Sequence, residues 1–260
     1  MICFPNAKIN LGIQVARKRS DGFHNLRSVL YPIPLYDVLE FKEADKYSLT
    51  VWGNSSKTLS ENNLITKAWN MLSARYNIPA VEVHLLKNIP LGSGLGCGSS
   101  DAIFFVKNIL EWLEIEVSEK ELINLAAELC SDCPFFVYNR PAYVFGKGNF
   151  IEPLEFDLHG FWLALILPDT PLSTKDAFEK IIPQHPQYNL KQLVLKKDIN
   201  NWKEQLFNDF EKVLPPHLTG VKRNLYEAGA LYASLTGSGS AFYGIFDKKP
   251  DMIADESIKL

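Results

Sequence analysis

The chain has 260 residues, 47% of them hydrophobic and 22% charged, and a formal net charge of −3. That length is enough to bury a sizeable core in two domains of ordinary size, and the composition excludes disordered, collagen-like and coiled-coil classes. The mild negative charge gives no general electrostatic drive toward nucleic acid or an anionic membrane. The start, Met-Ile-Cys-Phe-Pro-Asn-Ala-Lys, has Pro5 and Lys8 where a signal peptide needs an apolar core, and the longest apolar run, residues 161–167, is far too short for a membrane span. Four cysteines in so long a chain are not a disulfide framework, so a reducing, cytoplasmic location is expected.

In chain order, residues 7–15 alternate polar and apolar, with Lys8, Asn10, Gly12 and Gln14 on one face of an amphipathic strand. A turn-rich stretch, 17–22, leads to a second extended segment ending near Tyr36, and 38–42 and 47–52 add short strands. Residues 62–75 carry helical spacing at Leu64, Ile65, Ala68, Trp69 and Leu72, and 80–86 return to alternation. A loop with glycine at 92, 94, 96 and 98 follows, and Ser99, Ser100 and Asp101 then suit the cap and first turn of an apolar helix over 102–113. Ser118 and Glu121 make a capping box for a helix whose apolar stripe is Leu122, Leu125, Ala126 and Leu129. Strands at 143–145 and 161–167 are separated by a turn at 146–148 and a polar connector at 156–160, where the boundary between an N-terminal domain (1–155) and a C-terminal domain (156–260) is drawn. Helices at 174–182, 201–213 and 219–228 precede strands at 231–235 and 241–246, which flank a loop at 236–240. Strands and helices mixed without regular alternation predict α+β layers, not a doubly wound parallel sheet.

Alternating glycines allow positive φ and close approach, so several N–H groups can face one anion, and the following helix adds partial positive charge. The loop therefore reads as a phosphate cradle, the alternative being a flexible connection. It is neither a Walker A loop, since no lysine follows the glycines, nor the dinucleotide fingerprint, since position 97 is Cys. Lys8 is either a solvated strand lysine or a functional ammonium. Asp132, just before Cys133-Pro134, is a helix cap, a proton acceptor kept ionised by an ammonium, or both. Asp21-Gly22-Phe23-His24 is a turn, or a stacking and hydrogen-bonding surface for a nucleobase. Thr236-Gly237-Ser238-Gly239-Ser240 is a tight hairpin or a second loop that approaches ligand. Cys130 and Cys133 form a Cys-x-x-Cys pair, but no second ligand pair accompanies it, and the pair follows a helix where a redox motif should follow a strand and open a helix. The five histidines are scattered, and no metal site is expected.

Taken together, Pro-Asn-Ala-Lys-Ile-Asn-Leu from Pro5, Asp-Gly-Phe-His from Asp21, Pro-Leu-Gly-Ser-Gly-Leu-Gly-Cys-Gly-Ser-Ser-Asp-Ala from Pro90, Ser-Asp-Cys-Pro-Phe-Phe from Ser131 and Leu-Thr-Gly-Ser-Gly-Ser from Leu235 resemble the GHMP kinases. The resemblance covers nearly the whole chain. It implies a two-domain α+β fold, with an N-terminal domain like domain 2 of ribosomal protein S5, a ferredoxin-like C-terminal domain and the active site between them. It implies ATP as phosphoryl donor with Mg²⁺. The Asp-Gly-Phe-His and Asp-x-Pro-Phe-Phe segments further imply a small-molecule acceptor, cytidine diphosphate methylerythritol, phosphorylated on its 2-hydroxyl in isoprenoid precursor synthesis. Lys8 and Asp132 match the family's catalytic pair. Pro90, Leu91, Gly92, Ser93, Gly94, Leu95, Gly96, Cys97, Gly98, Ser99 and Ser100 match its ATP loop, and Asn63 and Lys87 match positions near the nucleotide. Phe23, His24 and Phe178 match cytidine-recognising positions, and Asn10 and Gly237 fall on the substrate side. A monomer or homodimer, without nucleic-acid or membrane partners, fits this reading.

Three departures from the family pattern stand out. Cys97 replaces a glycine, which reduces backbone freedom and, if exposed at a helix start, would make it oxidation-sensitive. Cys130 and Ser131 replace Gly-Ala, which would strain Cys130 if a left-handed helix end is required. Leu30 stands where an aromatic residue is common. The competing readings are another small-molecule kinase of the family, of homoserine or mevalonate type, and a non-catalytic nucleotide sensor on the same fold.

Overall fold

The computed structural model describes residues 1–53, 63–168, 170, 172–251 and 256–260. In chain order its strands are β1 (Ile2–Cys3), β2 (Asn6–Lys18), β3 (His24–Tyr36), β4 (Val38–Glu43), β5 (Ser48–Gly53), β6 (Val81–Lys87), β7 (Ala142–Gly146), β8 (Phe150–Pro153), β9 (Trp162–Ile166), β10 (Tyr232–Leu235), β11 (Phe242–Phe246) and β12 (Glu256–Lys259). The helices are α1 (Leu64–Tyr76), α2 (Cys97–Trp112), α3 (Glu119–Leu129), α4 (Cys133–Tyr138), α5 (Thr174–Lys180), α6 (Leu190–Leu195), α7 (Ile199–Gln205) and α8 (Val221–Glu227). Among the described residues no helix is long and apolar enough to cross a membrane. The chain forms two compact units, one from Met1–Ala7, Leu35–Leu91 and Gly96–Asn139, the other from Lys8–Pro34, Gly92–Leu95 and Arg140–Leu260.

In the first unit, strands run in the order β1-β4-β6-β5, antiparallel except for the parallel β5–β6 pair. Leu39 and Phe41 on β4 and Val81, Val83 and Leu85 on β6 alternate into the core, as a sheet buried on one face requires. The Phe41 ring meets Phe105 and Trp112 of α2 edge-on, at 5.5 and 5.8 Å between centroids. Helix α1 buries Ile65, Ala68 and Leu72. The start expected for it at Asn62 lies outside the described residues; its cap is Asn63, whose Oδ1 accepts from Ile65 N at 2.8 Å. Helix α3 starts where the capping box put it and keeps half of that box: Ser118 Oγ accepts from Glu121 N, while Glu121 Oε1 accepts from the Tyr76 hydroxyl at 2.6 Å. Helix α2 departs from expectation. It starts at Cys97, not near residue 102, with Gly96 at φ +75° as its cap, so Ser99, Ser100 and Asp101 lie inside the helix.

The reason for that early start is a buried ion cluster. The Lys87 side chain is fully buried at the end of β6, and its Nζ donates to Asp101 Oδ2 at 2.7 Å and to Asp37 Oδ2. Asp37 Oδ1 in turn accepts from Asn88 N and Ile89 N at 2.7 and 2.9 Å. Asp101 is needed inside, so the helix must already be wound where it stands.

In the second unit, one sheet runs β2-β3-β7-β8 and another β10-β11-β9-β12, the latter antiparallel throughout its pairs. Ile13, Val15, Ala164, Leu225, Leu235 and Phe242 share one apolar cluster. Buried Tyr232 and Tyr243 each satisfy their hydroxyl on a backbone carbonyl, Leu206 O at 3.0 Å and Asn10 O at 2.7 Å. The helix expected over 201–213 is broken. Ile13 N donates to Phe207 O at 2.9 Å and Ile13 forms a parallel bridge with Asn208, so the chain here runs alongside β2 and leaves the helix. Asn208 also donates to Leu235 O and Gly237 O and caps a 3₁₀ turn, Asp209–Val213. The short elements β8, α6 and β12 carry too little periodicity to announce themselves in the sequence.

Burial, the largest influence, pushes Asp101 up to about 7; Lys87 opposes the shift and Asp37 adds to it. The folded protein thus holds this proton more tightly than the unfolded chain does. Its contribution to stability falls as pH rises from the ordinary carboxylate value of 3.8 to about 7, then levels off. Asp101→Asn removes this dependence, so its Tm relative to the native chain should rise between about pH 5 and pH 7. Calorimetric melts of both proteins across that range check this, and a Tm difference that does not vary with pH would refute it.

Candidate active site

Along the glycine loop the side chains of Ser93, Leu95 and Cys97 are buried, while Gly92 is exposed and Gly94, Gly96 and Gly98 are half-buried. Alternation therefore turns every side chain inward and leaves bare backbone on the outer side. Gly92, Gly94 and Gly96 have φ of +68°, +80° and +75°, whereas Gly98 sits in α2 with ordinary helical geometry, so three of the four glycines are conformationally required. A Cβ on Gly94 would stand 2.2 Å from Thr236 O, and one on Gly237 would stand 2.9 Å from Gly94 Cα. The 236–240 loop is a hairpin between β10 and β11, closed by Thr236 N to Ala241 O at 3.0 Å. It also packs on residues 93 and 94, with Ala241 N donating to Ser93 O at 3.0 Å.

Lys8 and Asn10 project from the same face of β2 next to these loops. The Lys8 side chain is buried, and its Nζ donates to Asn10 Oδ1 at 2.6 Å and Gly94 O at 2.8 Å. Asn10 Oδ1 also accepts from Gly237 N at 2.9 Å, and Asn10 Nδ2 donates to Ser28 Oγ at 2.9 Å, which itself donates to Gly12 O at 2.6 Å. Thr236 Oγ1 accepts from Asn10 N at 3.2 Å. Sequence reading identified Lys8, Asn10 and Gly237 separately; the roles of Ser28 and Thr236 as their supports carried no signal beyond Thr236 lying in the glycine-rich hairpin.

Asp132 caps α4 with φ −86° and ψ −16°, and its side chain makes no capping hydrogen bond, so the helix-cap reading holds for its backbone alone. Pro134 enters the first turn, and Cys133, Phe135 and Phe136 behind it are completely buried, which anchors Asp132 at the surface end of a short rigid helix. Cys130 is extended, with φ −165°, so the strain expected from a left-handed conformation does not arise. Cys97 is buried and its thiol is pushed up to about 11 by burial, which overturns the expected oxidation sensitivity.

His24 and Phe178 stack, with centroids 5.2 Å apart at 22°, and Phe210 braces Phe178 edge-on at 4.9 Å. Burial keeps His24 below its usual pKa, so its ring is neutral at pH 7 and offers both a donor and an acceptor. Phe23 does not join this stack. Its ring is 60% exposed under the Lys147 ammonium, 5.0 Å away, because neighbouring residues of an extended chain face opposite ways. Asn63 Oδ1 is spent on its cap, and the Lys87 ammonium points inward to its two carboxylates.

Residues 63–140 match the GHMP kinases N terminal domain and residues 190–256 the GHMP kinases C terminal family. The chain is similar to the 4-diphosphocytidyl-2-C-methyl-D-erythritol kinase of Parabacteroides distasonis, with 43% identity covering 99% of this chain and 96% of the relative. It is similar to the protein of the same name from Bacteroides thetaiotaomicron, with 45% identity over 95% and 92% of the two chains. Among solved structures it resembles a 4-(cytidine 5'-diphospho)-2C-methyl-D-erythritol kinase, with a TM-score of 0.77, 28% identity and coverage of 94% and 90%. The homoserine kinase of Cytophaga hutchinsonii shares the fold at a TM-score of 0.65 and 20% identity, over 94% and 86% of the chains. With both family domains matched and relatives alike along nearly its whole length, the chain belongs to the GHMP kinase family and is an ATP-dependent kinase.

Proposed function

We propose that this kinase transfers the γ-phosphoryl group of ATP to the 2-hydroxyl of 4-diphosphocytidyl-2-C-methyl-D-erythritol. The observation that carries the reading is the 43% and 45% identity, over nearly the whole chain, to proteins named for that acceptor. The His24–Phe178 stack supports its cytidine end, since a flat neutral imidazole backed by a braced phenyl ring suits a nucleobase, and exposed Phe23 adds a second aromatic surface. A division into segments 1–155 and 156–260 is supported by the two matched stretches, which end at 140 and resume at 190.

Phosphoryl transfer asks for alignment and charge stabilisation more than for covalent work by the protein. The bare backbone at Gly92, Gly94 and Gly96 and the first amides of α2 cradle the ATP phosphates, with Pro90, Leu91, Ser93, Leu95, Cys97, Gly98, Ser99 and Ser100 completing that loop. Asp132 takes the proton of the acceptor hydroxyl as its oxygen attacks. Lys8, pre-set by Asn10 and Gly94, steadies the charge on the transferring group. Asn63 and Lys87 serve the nucleotide side through the helices they secure, and Gly237 serves Lys8 through Asn10. Mg²⁺, when bound with ATP, supplies charge neutralisation on the phosphates. The Oγ of Ser100, buried without a hydrogen-bond partner among the described residues in the opening turns of α2, is one protein oxygen that would serve the ion.

The primary test is ADP release with Mg-ATP and 4-diphosphocytidyl-2-C-methyl-D-erythritol, homoserine, mevalonate or galactose. Turnover with the cytidyl acceptor alone is expected, with kcat lowered about 100-fold or more in Asp132→Asn; turnover with another alcohol, or an unimpaired variant, defeats the proposal. On the acceptor side, Phe178→Ala and His24→Ala should each raise acceptor KM roughly 5- to 100-fold by removing a stacking surface, while KM for ATP stays put. Initial-rate kinetics in both substrates decide that, since equal losses for ATP and acceptor would mean general damage. At the loop, Gly94→Ala meets both a positive φ and the Thr236 carbonyl. A loss of about 100-fold in kcat/KM for ATP is expected from a loop displaced by about 1 Å, and ATP titration calorimetry with native-like affinity would count against the cradle.

A further inference from the structure

The Cys-x-x-Cys pair stands in a different context from the one its sequence suggests. Cys130 ends α3 and Cys133 is the first residue of α4, so the pair does open a helix, and Asp132 lies inside the four-residue loop between the two thiols. Both sulfurs converge on one residue of the glycine-loop helix. Cys130 Sγ is 3.0 Å from Ser99 Oγ, and Cys133 Sγ donates to Ser99 O at 3.8 Å. Cys130 is half-buried, whereas Cys133 is completely buried. From this arrangement we propose that Cys130 and Cys133 are a reversible thiol–disulfide switch that turns phosphoryl transfer off when oxidised. The effect on catalysis rests on the proposed role of Asp132; the thiol chemistry does not.

The order of events follows from the two environments. The neighbouring Cys133 side chain lowers the pKa of the Cys130 thiol, while that same pairing and burial drive the Cys133 thiol far up. Cys130, as thiolate, attacks a low-molecular-weight disulfide, forming a mixed disulfide and releasing one thiol. Cys133 then loses its proton and attacks the Cys130 sulfur, forming the internal bond and releasing the second thiol. The protein gives up two electrons and two protons, and both pass to the small disulfide. The product has sulfurs about 2.05 Å apart, so the loop holding Asp132 is drawn tighter, and neither sulfur retains a hydrogen for Ser99. A shift of about 1 Å in an aligned catalytic group is enough to slow transfer by about 100-fold.

The test treats the full-length reduced enzyme with oxidised glutathione, maps disulfides by peptide mass spectrometry and measures ADP release before oxidation, after it and after dithiothreitol. A Cys130–Cys133 link, a rate lowered about tenfold or more, and recovery on reduction are expected. Cys3 and Cys97, both buried, serve as internal controls and stay unmodified. Cys133→Ser should trap glutathione on Cys130, and Cys130→Ser should acquire neither link nor adduct, with circular dichroism confirming that each variant is folded. Absence of the internal link in the native chain, or a linked enzyme of unchanged rate, overturns the proposal. Failure of the acceptor assignment is distinct, because it appears as missing turnover in the reduced enzyme before any oxidant is added.

Discussion

The side-chain amide of Asn10 is the point on which the second unit's functional surface turns. Its Oδ1 takes the Lys8 ammonium and the Gly237 amide, its Nδ2 reaches Ser28, its backbone N–H goes to Thr236 and its carbonyl receives the Tyr243 hydroxyl. A buried lysine is costly unless its charge is compensated, and the Asn10 amide oxygen and the Gly94 carbonyl both contribute to that compensation. The Asn10 and Gly94 oxygens thus hold the Lys8 ammonium in a fixed direction.

The glycines of residues 92 and 94 make sense against this hub. Gly94 is pressed on Thr236, and its carbonyl helps hold Lys8, so it is fixed by neighbours as well as by its φ. A Cβ on Gly92 would meet nothing within 4 Å, so this glycine is needed for its positive φ and its open outer side. One glycine thus serves packing and the other access, which a regular spacing in the sequence does not distinguish.

Most strands and the helices with strong apolar stripes were legible because their period is set by one buried face: residues 7–15, 80–86 and the Ser118 capping box all reappear close to where the pattern put them. Contacts between distant segments were not legible. The helix expected at 201–213 breaks because β2 takes Phe207 and Asn208 as neighbours, and helix α2 starts early because Lys87 draws Asp101 inward. The two compact units also interleave in sequence, with residues 8–34 and 92–95 grouped with 140–260, a pairing of distant segments that no local pattern marks. At the site, motif spacing singled out Lys8, Asn10, the glycine loop and His24, but not which neighbours they turn to: Phe23 faces away from the His24–Phe178 stack, and Ser28 and Thr236 are structural partners that no local pattern marks.

The buried Lys87 cluster bears on how the start of α2 can receive an anion. Asp101 stands in the opening turns of that helix, where a carboxylate would ordinarily take up the partial positive charge that a phosphate needs. Lys87 against Asp37 and Asp101 amounts to one positive and two formal negative charges, so with both carboxylates ionised the cluster is negative by one. The proton that Asp101 keeps up to about pH 7 brings the sum to zero. Burying the pair behind the first turn thus anchors the helix through hydrogen bonds while leaving its N-terminal amides electrostatically uncommitted, and the same burial that raises the pKa of Asp101 keeps its charge from competing with phosphate.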